Sequence, residues 1–362
     1  MTAYPKIQYF LGANAPVGFY SLYDQLLPPE RARAVYILKG GPGCGKSTLM
    51  RRVAGWAEET GLETEYILCS GDPDSLDALV LPGLGAALVD GTAPHVVEPR
   101  CPGAVERYVN LGDCYDAAAL RPLRGELTGC MAGYKGCYQR AYRCLGAAAE
   151  IWEDQRSALL TDALVQKLER RARGILRREV PRRKGAEPGQ VKQRFLGAVT
   201  HRGRLTLYGT ALAQCGKVYE LADGCGLAHE LLLPLLTGAA AAGWDAVACP
   251  DPMAPQRLAH LLLPGLGLAF LSTGKDRPLP VRPYRRVRLD AATDGEVLRR
   301  NRPRLRFAKK VSAALEGEAV ASLARAKAMH DDLERLYNPH VDFGRVEELA
   351  REVWEDIQSL EA

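Results

Sequence analysis

Residues 34–50, AVYILKGGPGCGKSTLM, decide the fold of this chain. An apolar, β-rich run comes first, and a helical pattern ends the stretch. Between them, the spacing G-x-x-x-x-G-K-S is formed by Gly40, Gly45, Lys46 and Ser47. Glycines let the backbone turn so that successive N–H groups point at phosphate oxygens, and the positive end of the helix adds to the attraction. The stretch therefore predicts a strand, a Walker A loop and a helix.

Each position of the loop has an expected role. Lys46 reaches the β- and γ-phosphates, and the Ser47 hydroxyl binds Mg²⁺. Further contacts come from Gly40, Gly41, Pro42, Gly43, Cys44, Gly45 and Thr48, and we expect the Cys44 thiol to be reactive and protected by ATP. A plain glycine-rich turn explains Lys46 poorly, because a cation at a helix N-terminus is unfavourable without an anion beside it. The sequence predicts binding of ATP with Mg²⁺, and no N-K-x-D or T-K-x-D motif points to guanine.

Asp90 is the expected partner of Ser47 at the magnesium ion. It ends the apolar run at 86–90, which is typical of a Walker B strand one βαβ unit after a Walker A loop. Strands also often end in a turn aspartate, so the preceding Walker A motif is what favours the magnesium role. His95 follows, and two interpretations stay open: a residue that senses γ-phosphate or a structural loop histidine.

Two more carboxylates are candidates for catalysis. Asp72 and Asp74 lie in an acidic segment, SGDPDSLD at 70–77, which follows a predicted second strand at 64–69. There they can orient or deprotonate an attacking hydroxyl or water. The pattern Asp-Pro-Asp-Ser is also favourable at the start of a helix, which is the more favoured interpretation.

Composition places the chain among soluble globular proteins. Of its 362 residues, 47% are hydrophobic and 25% are charged, and the net charge is only +5. The ten cysteines include no C-x-x-C pair, so we expect free thiols. No signal-peptide pattern or long apolar run appears, which predicts a cytoplasmic protein with no membrane partner.

The segment 166–195 is strongly basic, with eleven Lys and Arg against three Glu, a local balance of +8. The segment overlaps the end of a region, 114–180, whose pattern predicts helices. Its arginines fit a lid over phosphates or a nucleic-acid surface, and a solvated helix end fits equally well.

In the same region, Cys130, Cys137 and Cys144 recur every seven residues, about 10 Å apart on a helix, which is too far for one metal ion. We expect them on a packed helix face.

The chain repeats itself. Residues 193–212 match residues 8–27 at nine of twenty positions. The pattern of residues 8–27 predicts a short strand, a turn and an amphipathic helix. The first half is the copy that ends at 190, and the second half begins at 191. In the second half, Gly45, Lys46, Ser47 and Asp90 align with Ala228, His229, Glu230 and Ser272. The second half therefore predicts a pseudo-site, without the lysine or the magnesium ligands.

A helical arm follows each copy. In the C-terminal arm, at about 305–360, His330 and Glu334 lie four residues apart. They can bind a metal ion, but an ion pair on a solvated helix face is the more favoured interpretation.

These motifs together resemble a little-characterised bacterial family of tandem P-loop ATPase-like proteins. The resemblance rests on the LGA lead-in, Gly40 to Thr48, the DPDSLD segment and DGTAPH at 90–95. It implies two tandem three-layer α/β domains of the P-loop NTPase type, with mainly parallel sheets and helical extensions. It also implies nucleotide and Mg²⁺ roles for Gly40, Gly45, Lys46, Ser47 and Asp90. The expected ranges are 1–113 (intact domain), 114–190 (helical arm), 191–290 (degenerate repeat) and 291–362 (C-terminal arm).

Three functions stay open at this point. The first is an ATPase that couples γ-phosphate loss to movement of the helical arms, with an unidentified protein as the partner. The second is a small-molecule or nucleotide kinase, which the acidic segment and an arginine-rich lid favour. The third is an ATP-binding regulator that does not hydrolyse ATP.

Overall fold

The computed structural model describes residues 6–274 and 276–361, so the ends of the expected ranges, 1–5 and 362, lie outside it. The fold is α/β, with two six-stranded mixed sheets in which most strand pairs are parallel. The first half contains β1 (Ile7–Tyr9), β2 (Gly12–Ala15), β3 (Gly18–Ser21), β4 (Ala34–Lys39), α1 (Lys46–Glu59), β5 (Glu65–Leu68), β6 (Leu76–Leu81), β7 (Ala86–Asp90), β8 (Glu106–Asn110), α2 (Ala117–Leu120), α3 (Arg124–Leu159) and α4 (Asp162–Glu179).

The second half repeats this arrangement. It contains β9 (Val191–Gln193), β10 (Gly197–Thr200), β11 (Gly203–Thr206), α5 (Tyr208–Gln214), β12 (Lys217–Ala222), α6 (Ala228–Ala241), β13 (Ala246–Asp251), β14 (Ala254–Leu263), β15 (Leu268–Thr273), β16 (Arg285–Arg288), α7 (Gly295–Tyr337) and α8 (Phe343–Gln358). The first sheet has the order β1-β5-β6-β7-β4-β8, and the second has β9-β13-β14-β15-β12-β16. Each strand of the second sheet thus occupies the place of its counterpart in the first.

The central strands are buried because their sequences are apolar throughout. Strand β4 reads AVYILK and is buried over its first five residues, and β7 reads AALVD and is buried up to Asp90. These two strands pair in parallel, with Leu38 opposite Asp90. The carboxyl ends of both strands therefore meet at one edge of the sheet, beside the loop that follows β4.

Two local predictions were wrong. Residues 8–27 form β1, the hairpin β2–β3 and only a short 3₁₀ turn at Tyr23–Gln25, instead of an amphipathic helix. The acidic segment 70–77 does not start a helix: it turns from β5 into β6, which runs antiparallel to it. Strand β6 was missed because its apolar run, LDALVL, lacks the alternation of a half-buried strand and is buried on both faces.

The two halves share one continuous core. Phe10 and Phe195, at equivalent positions of the repeat, exchange two backbone hydrogen bonds of 2.9 Å, and both side chains are fully buried. Near this contact, the buried carboxylate of Glu65 is paired with Arg194 (2.5 Å) and Lys192 (2.7 Å) of the second half. The repeat units therefore pack face to face through their lead-in segments.

The helical arms are exchanged between the halves. The long helices α3 and α7 pack side by side, with small residues such as Ala141, Ala148 and Ala319 in the contact. The helix that follows α3, α4, packs on α6 of the second half, and α8 packs on α1 of the first half. The last helix of each repeat thus packs on the helix that follows the loop of the other repeat.

None of the helices in the described ranges has both the length and the apolar character that crossing a membrane requires.

Candidate functional site

The loop after β4 has the backbone that close contact with an anion requires. Gly43 and Gly45 have φ angles of +70° and +90°, in the left-handed region that favours glycine. Helix α1 then begins at Lys46, and no side chain from the described ranges caps its first amides. The unsatisfied N–H groups of the first turn and the positive end of the helix dipole lie at the same place. The backbone of the loop therefore has a geometry that suits an anion.

The Lys46 side chain lies back over the loop. Its Nζ donates to the main-chain carbonyls of Gly40 (2.9 Å) and Gly41 (2.8 Å) and lies 3.6 Å from Oδ2 of Asp90. Both charged side chains are only about one-eighth exposed, 12% and 13%. The ammonium is thus held by oxygens of the loop at the position from which it can turn to phosphate oxygens.

Ser47 and Asp90 lie at the ends of neighbouring elements, as the sequence predicts. The Ser47 hydroxyl accepts a hydrogen bond from the amide of Leu76 (3.0 Å), which fixes its direction. Oδ1 of Asp90 accepts from the amide (2.8 Å) and the hydroxyl (2.5 Å) of Thr92, so that Oδ2 is the oxygen that faces Lys46. A hydroxyl and a carboxylate are oxygen ligands of the kind that Mg²⁺ prefers, and they fit that ion.

The loop is covered by the second half of the chain, which sequence reasoning missed. The Asn338 amide, oriented as its neighbours require, donates to the carbonyl of Gly43 (2.9 Å). Val346 and Phe343 of α8 pack against Gly45, where a Cβ atom would lie 3.1 and 3.6 Å from them. From the first half, the Tyr115 hydroxyl donates to the carbonyl of Pro42 (3.0 Å). The α7–α8 corner, residues 334–346, is therefore in direct contact with the loop.

The two acidic candidates lie near the site but are paired with cations. Asp72 is 3.4 Å from Lys327 of α7, and Asp74 forms an ion pair with Arg202 at the tip of the β10–β11 hairpin. Arg51 of α1 also donates to the carbonyl of Asp74 (2.5 Å). Both carboxylates are thus engaged by cations, and their catalytic role stays a prediction.

Among the remaining loop positions, Thr48 is exposed on the first turn of α1, and Cys44 is 1% exposed. The expectation of a reactive Cys44 thiol was therefore wrong for this state. The spacing places the cysteine in the loop, but the left-handed glycines on either side turn its side chain inward, toward Gly40 and Leu111. A buried thiol is inaccessible to reagents, even where neighbouring groups favour its thiolate form.

The equivalent loop of the second half is filled by its own carboxylate. Asp223, which stands where the first half has Gly40, accepts from the amides of Cys225 (3.2 Å), Leu227 (2.9 Å) and Ala228 (2.8 Å). Burial raises the pKa of Asp223, while the amides of Leu227 and Ala228 oppose that effect. The amides that would face phosphate are thus already satisfied by an anion.

The side chains at the other second-half positions are also engaged. The Glu230 carboxylate is 2.9 Å from Arg257, and Nδ1 of His229 accepts from the amide of Leu258 (3.0 Å). Burial lowers the pKa of His229, which favours its neutral form. Sequence reasoning found the missing lysine but missed Asp223, whose signal was an aspartate in the place of the first glycine.

Other candidate positions have structural partners. His95 is buried, with Nε2 at 3.2 Å from Asp77. His330 and Glu334 lie 3.8 Å apart as an i, i+4 pair. Cys130 and Cys137 face Met329 of α7, which confirms the packed helix face.

The basic segment lies away from the first loop. Its arginines from Arg170 to Arg178 are exposed on α4, which packs on α6 of the second half. A lid over the first loop is therefore wrong, because the α7–α8 corner occupies that place. A nucleic-acid surface stays a prediction.

Comparisons of the chain with protein-family models, with curated proteins and with solved structures found no match.

Proposed function

We propose that the first half binds one MgATP and hydrolyses it, and that the second half is a pseudo-site. The observation that carries the proposal is the convergence of the first amides of α1, the Lys46 ammonium and the Asp90 carboxylate at one edge of the first sheet. An ammonium and unpaired amides attract phosphates, and an adjacent carboxylate and hydroxyl suit the accompanying magnesium ion. The same reasoning groups the chain with tandem P-loop ATPase-like proteins.

The protein side chains have separate tasks in this proposal. Lys46 exchanges its carbonyl partners in the loop for β- and γ-phosphate oxygens, which develop more charge during the reaction. Ser47 and Asp90 would hold Mg²⁺, which would supply positive charge beside the phosphates. The backbone of residues 40–45 positions the phosphates without taking part in proton transfer.

Hydrolysis coupled to the helical arms is favoured by the α7–α8 corner. Residues of this corner contact Gly43 and Gly45 directly, so a phosphate bound there changes the surface on which α8 rests. Helix α8 also packs on α1, and α7 packs along the full arm of α3. A kinase is less favoured because Asp72 and Asp74 are both held by cations instead of facing an acceptor site.

The test is a turnover assay with product identification. Wild-type protein, Lys46→Ala and His229→Ala are incubated with MgATP, with and without a pool of small metabolites, and the products are identified by mass spectrometry. We expect phosphate release that does not need the metabolites, is lost in Lys46→Ala and is kept in His229→Ala. A phosphorylated metabolite among the products would show a kinase reaction instead of hydrolysis. Tight ATP binding without turnover would indicate a regulator that does not hydrolyse ATP.

A further inference from the structure

A second group of reactive side chains lies near the nucleotide loop but is not used by it. Cys69 follows β5, Asp77 lies in β6, and His95 lies in the loop after β7. Strands β5, β6 and β7 are neighbours in the first sheet, so the three side chains come together beside it. Asp77 is 3% exposed and His95 is 9% exposed.

The ligand atoms of this cluster are already close together. The sulfur of Cys69, a carboxylate oxygen of Asp77 and a ring nitrogen of His95 all lie within 4.8 Å of one another, and Nε2 of His95 is 3.2 Å from Oδ2 of Asp77. A tetrahedral zinc ion with bonds of about 2.0–2.3 Å requires separations of about 3.3–3.6 Å between its ligand atoms. The His95–Asp77 separation of 3.2 Å is close to that range, and no other separation in the cluster exceeds 4.8 Å.

The surroundings hold the ligands in place and leave one atom without a partner. The Tyr23 hydroxyl donates to Asp77 (2.9 Å), and the rings of Phe19 and Tyr23 pack against the His95 ring with centroids 5.1 and 5.2 Å away. Nδ1 of His95 is buried and has no hydrogen-bond partner within the described part of the chain. Nε2 is the ring nitrogen that faces Asp77, so a metal ion in this cluster would bind at Nε2, and the unpaired Nδ1 is a separate atom of the ring.

The second half serves as an internal comparison. Strands β14 and β15 pair as β6 and β7 do, with His260 opposite Leu271 where Ala78 is opposite Val89. Counting from these pairs, Ala259 replaces Asp77 and Arg277 replaces His95, and Asp251 takes the place of Cys69. The second half keeps the sheet without these ligands, so the fold alone does not require them.

We propose that Cys69, Asp77 and His95 bind one thiophilic divalent metal ion, for which Zn²⁺ is the best fit. One thiolate, one imidazole and one carboxylate suit zinc, whereas Mg²⁺ and Ca²⁺ prefer oxygen ligands alone. Three protein ligands leave a fourth position for water or another group. This site is separate from the magnesium ligands Ser47 and Asp90.

The test uses the full chain, freed of metal by a chelator and then titrated with Co²⁺ and Zn²⁺. Cobalt reports a thiolate ligand through a charge-transfer absorption band, and zinc content is measured by mass spectrometry. We expect about one metal ion per chain, with the cobalt band present. In Cys69→Ser the band disappears. In His95→Gln the affinity falls at least about tenfold, because even the loss of a hydrogen-bond partner of a ligand costs that much.

Matched variants separate this site from other cysteines and histidines. Cys130→Ser and His330→Gln should bind metal as the wild type does, and so should Lys46→Ala, whose nucleotide loop is disabled. Wild-type protein that binds no cobalt, or a cobalt complex without the thiolate band, would overturn the proposal even if a ligand variant failed to fold. An unchanged band in Cys69→Ser would overturn it as well.

Discussion

The Lys46 ammonium lies between the carbonyls of Gly40 and Gly41 and the carboxylate of Asp90. These contacts tie Asp90 to the cation that the loop would offer to phosphate. Asp90 is also the side chain that we assign to magnesium, so its removal should affect the metal-dependent step more than the binding of the nucleotide itself.

We predict that Asp90→Asn lowers Mg²⁺-dependent turnover roughly ten- to hundredfold, the range for losing one charge-assisted contact. Metal-free nucleotide binding should change much less, because the backbone of residues 40–45 is intact. Steady-state kinetics and binding titrations with a chelator measure the two effects. Turnover equal to the wild type would remove Asp90 from the site.

Asp223 has the corresponding structural role in the second loop. Because its carboxylate accepts from three amides, we predict that Asp223→Ala lowers the free energy of unfolding by about 1–2 kcal/mol. Asp223→Asn, which keeps an acceptor oxygen, should lose less. Nucleotide binding should not increase, since His229 and Glu230 remain. Urea unfolding checks the stability, and a variant as stable as the wild type would contradict the role.

At this scale the sequence predicts the site in part. Lys46, Ser47 and Asp90 are brought together as expected, because their spacing and strand context fix a local geometry. Asn338 and Asp77 carry no comparable local signal, because their partners are distant in the chain. Cys44 was misjudged because loop position does not reveal which way a side chain turns.

Among the elements, the α7–α8 corner is in direct contact with the loop after β4. A bound phosphate should change the packing of Gly43 and Gly45 against this corner. We predict that MgATP slows amide hydrogen exchange in residues 334–346 as well as in 40–48. Peptides from 223–230 should not change and provide an internal control.

The same exchange measurement on Lys46→Ala should show neither effect. Protection that is confined to residues 40–48 in the wild type would separate nucleotide binding from the arms. Hydrolysis would then have no route to the helical arms through this corner.

Strand β6 illustrates why elements are harder to predict than motifs. The segment DPDSLD contains residues that favour both a helix start and a tight turn. Pairing of β6 with β5 on one side and β7 on the other determines that a turn and a strand form here. Those pairings are non-local, so the local sequence leaves the choice open.

For the whole molecule, the contact between the halves includes a buried charge. Burial alone would raise the pKa of Glu65, but the charges of Arg194 and Lys192 outweigh it and lower the pKa to about 2. A carboxyl group with a lowered pKa stabilises the fold above its ordinary pKa of 4.5, and this contribution is lost as the pH falls toward 2.

We predict that the stability difference between wild type and Glu65→Gln shrinks by about 2 kcal/mol from pH 5 to pH 3. We also expect Arg194→Met to cost about 3–5 kcal/mol at neutral pH, because it leaves Glu65 buried without its main partner. Urea unfolding across this pH range measures both. Glu318→Gln, at an exposed pair with Arg140, is the control and should change stability much less than Arg194→Met does.

The overall organisation is partly readable from the sequence. The nine identities between residues 8–27 and 193–212 indicate a repeat, and both sheets have the same strand order. The exchange of α4 and α8 between the halves has no such signal. The amphipathic pattern of a helix predicts that one face is buried, but it does not identify the element that covers that face.

Calorimetric titration of the wild-type chain with MgATP measures how many nucleotide sites the two halves provide. We predict about one nucleotide per chain, with binding weakened roughly ten- to hundredfold in Lys46→Ala and nearly unchanged in His229→Ala. Lys46 supplies a charge-assisted contact, whereas His229 adjoins amides that Asp223 already fills. A stoichiometry of two, or binding that survives Lys46→Ala and fails in His229→Ala, would contradict the assignment of a working first half and a pseudo-site.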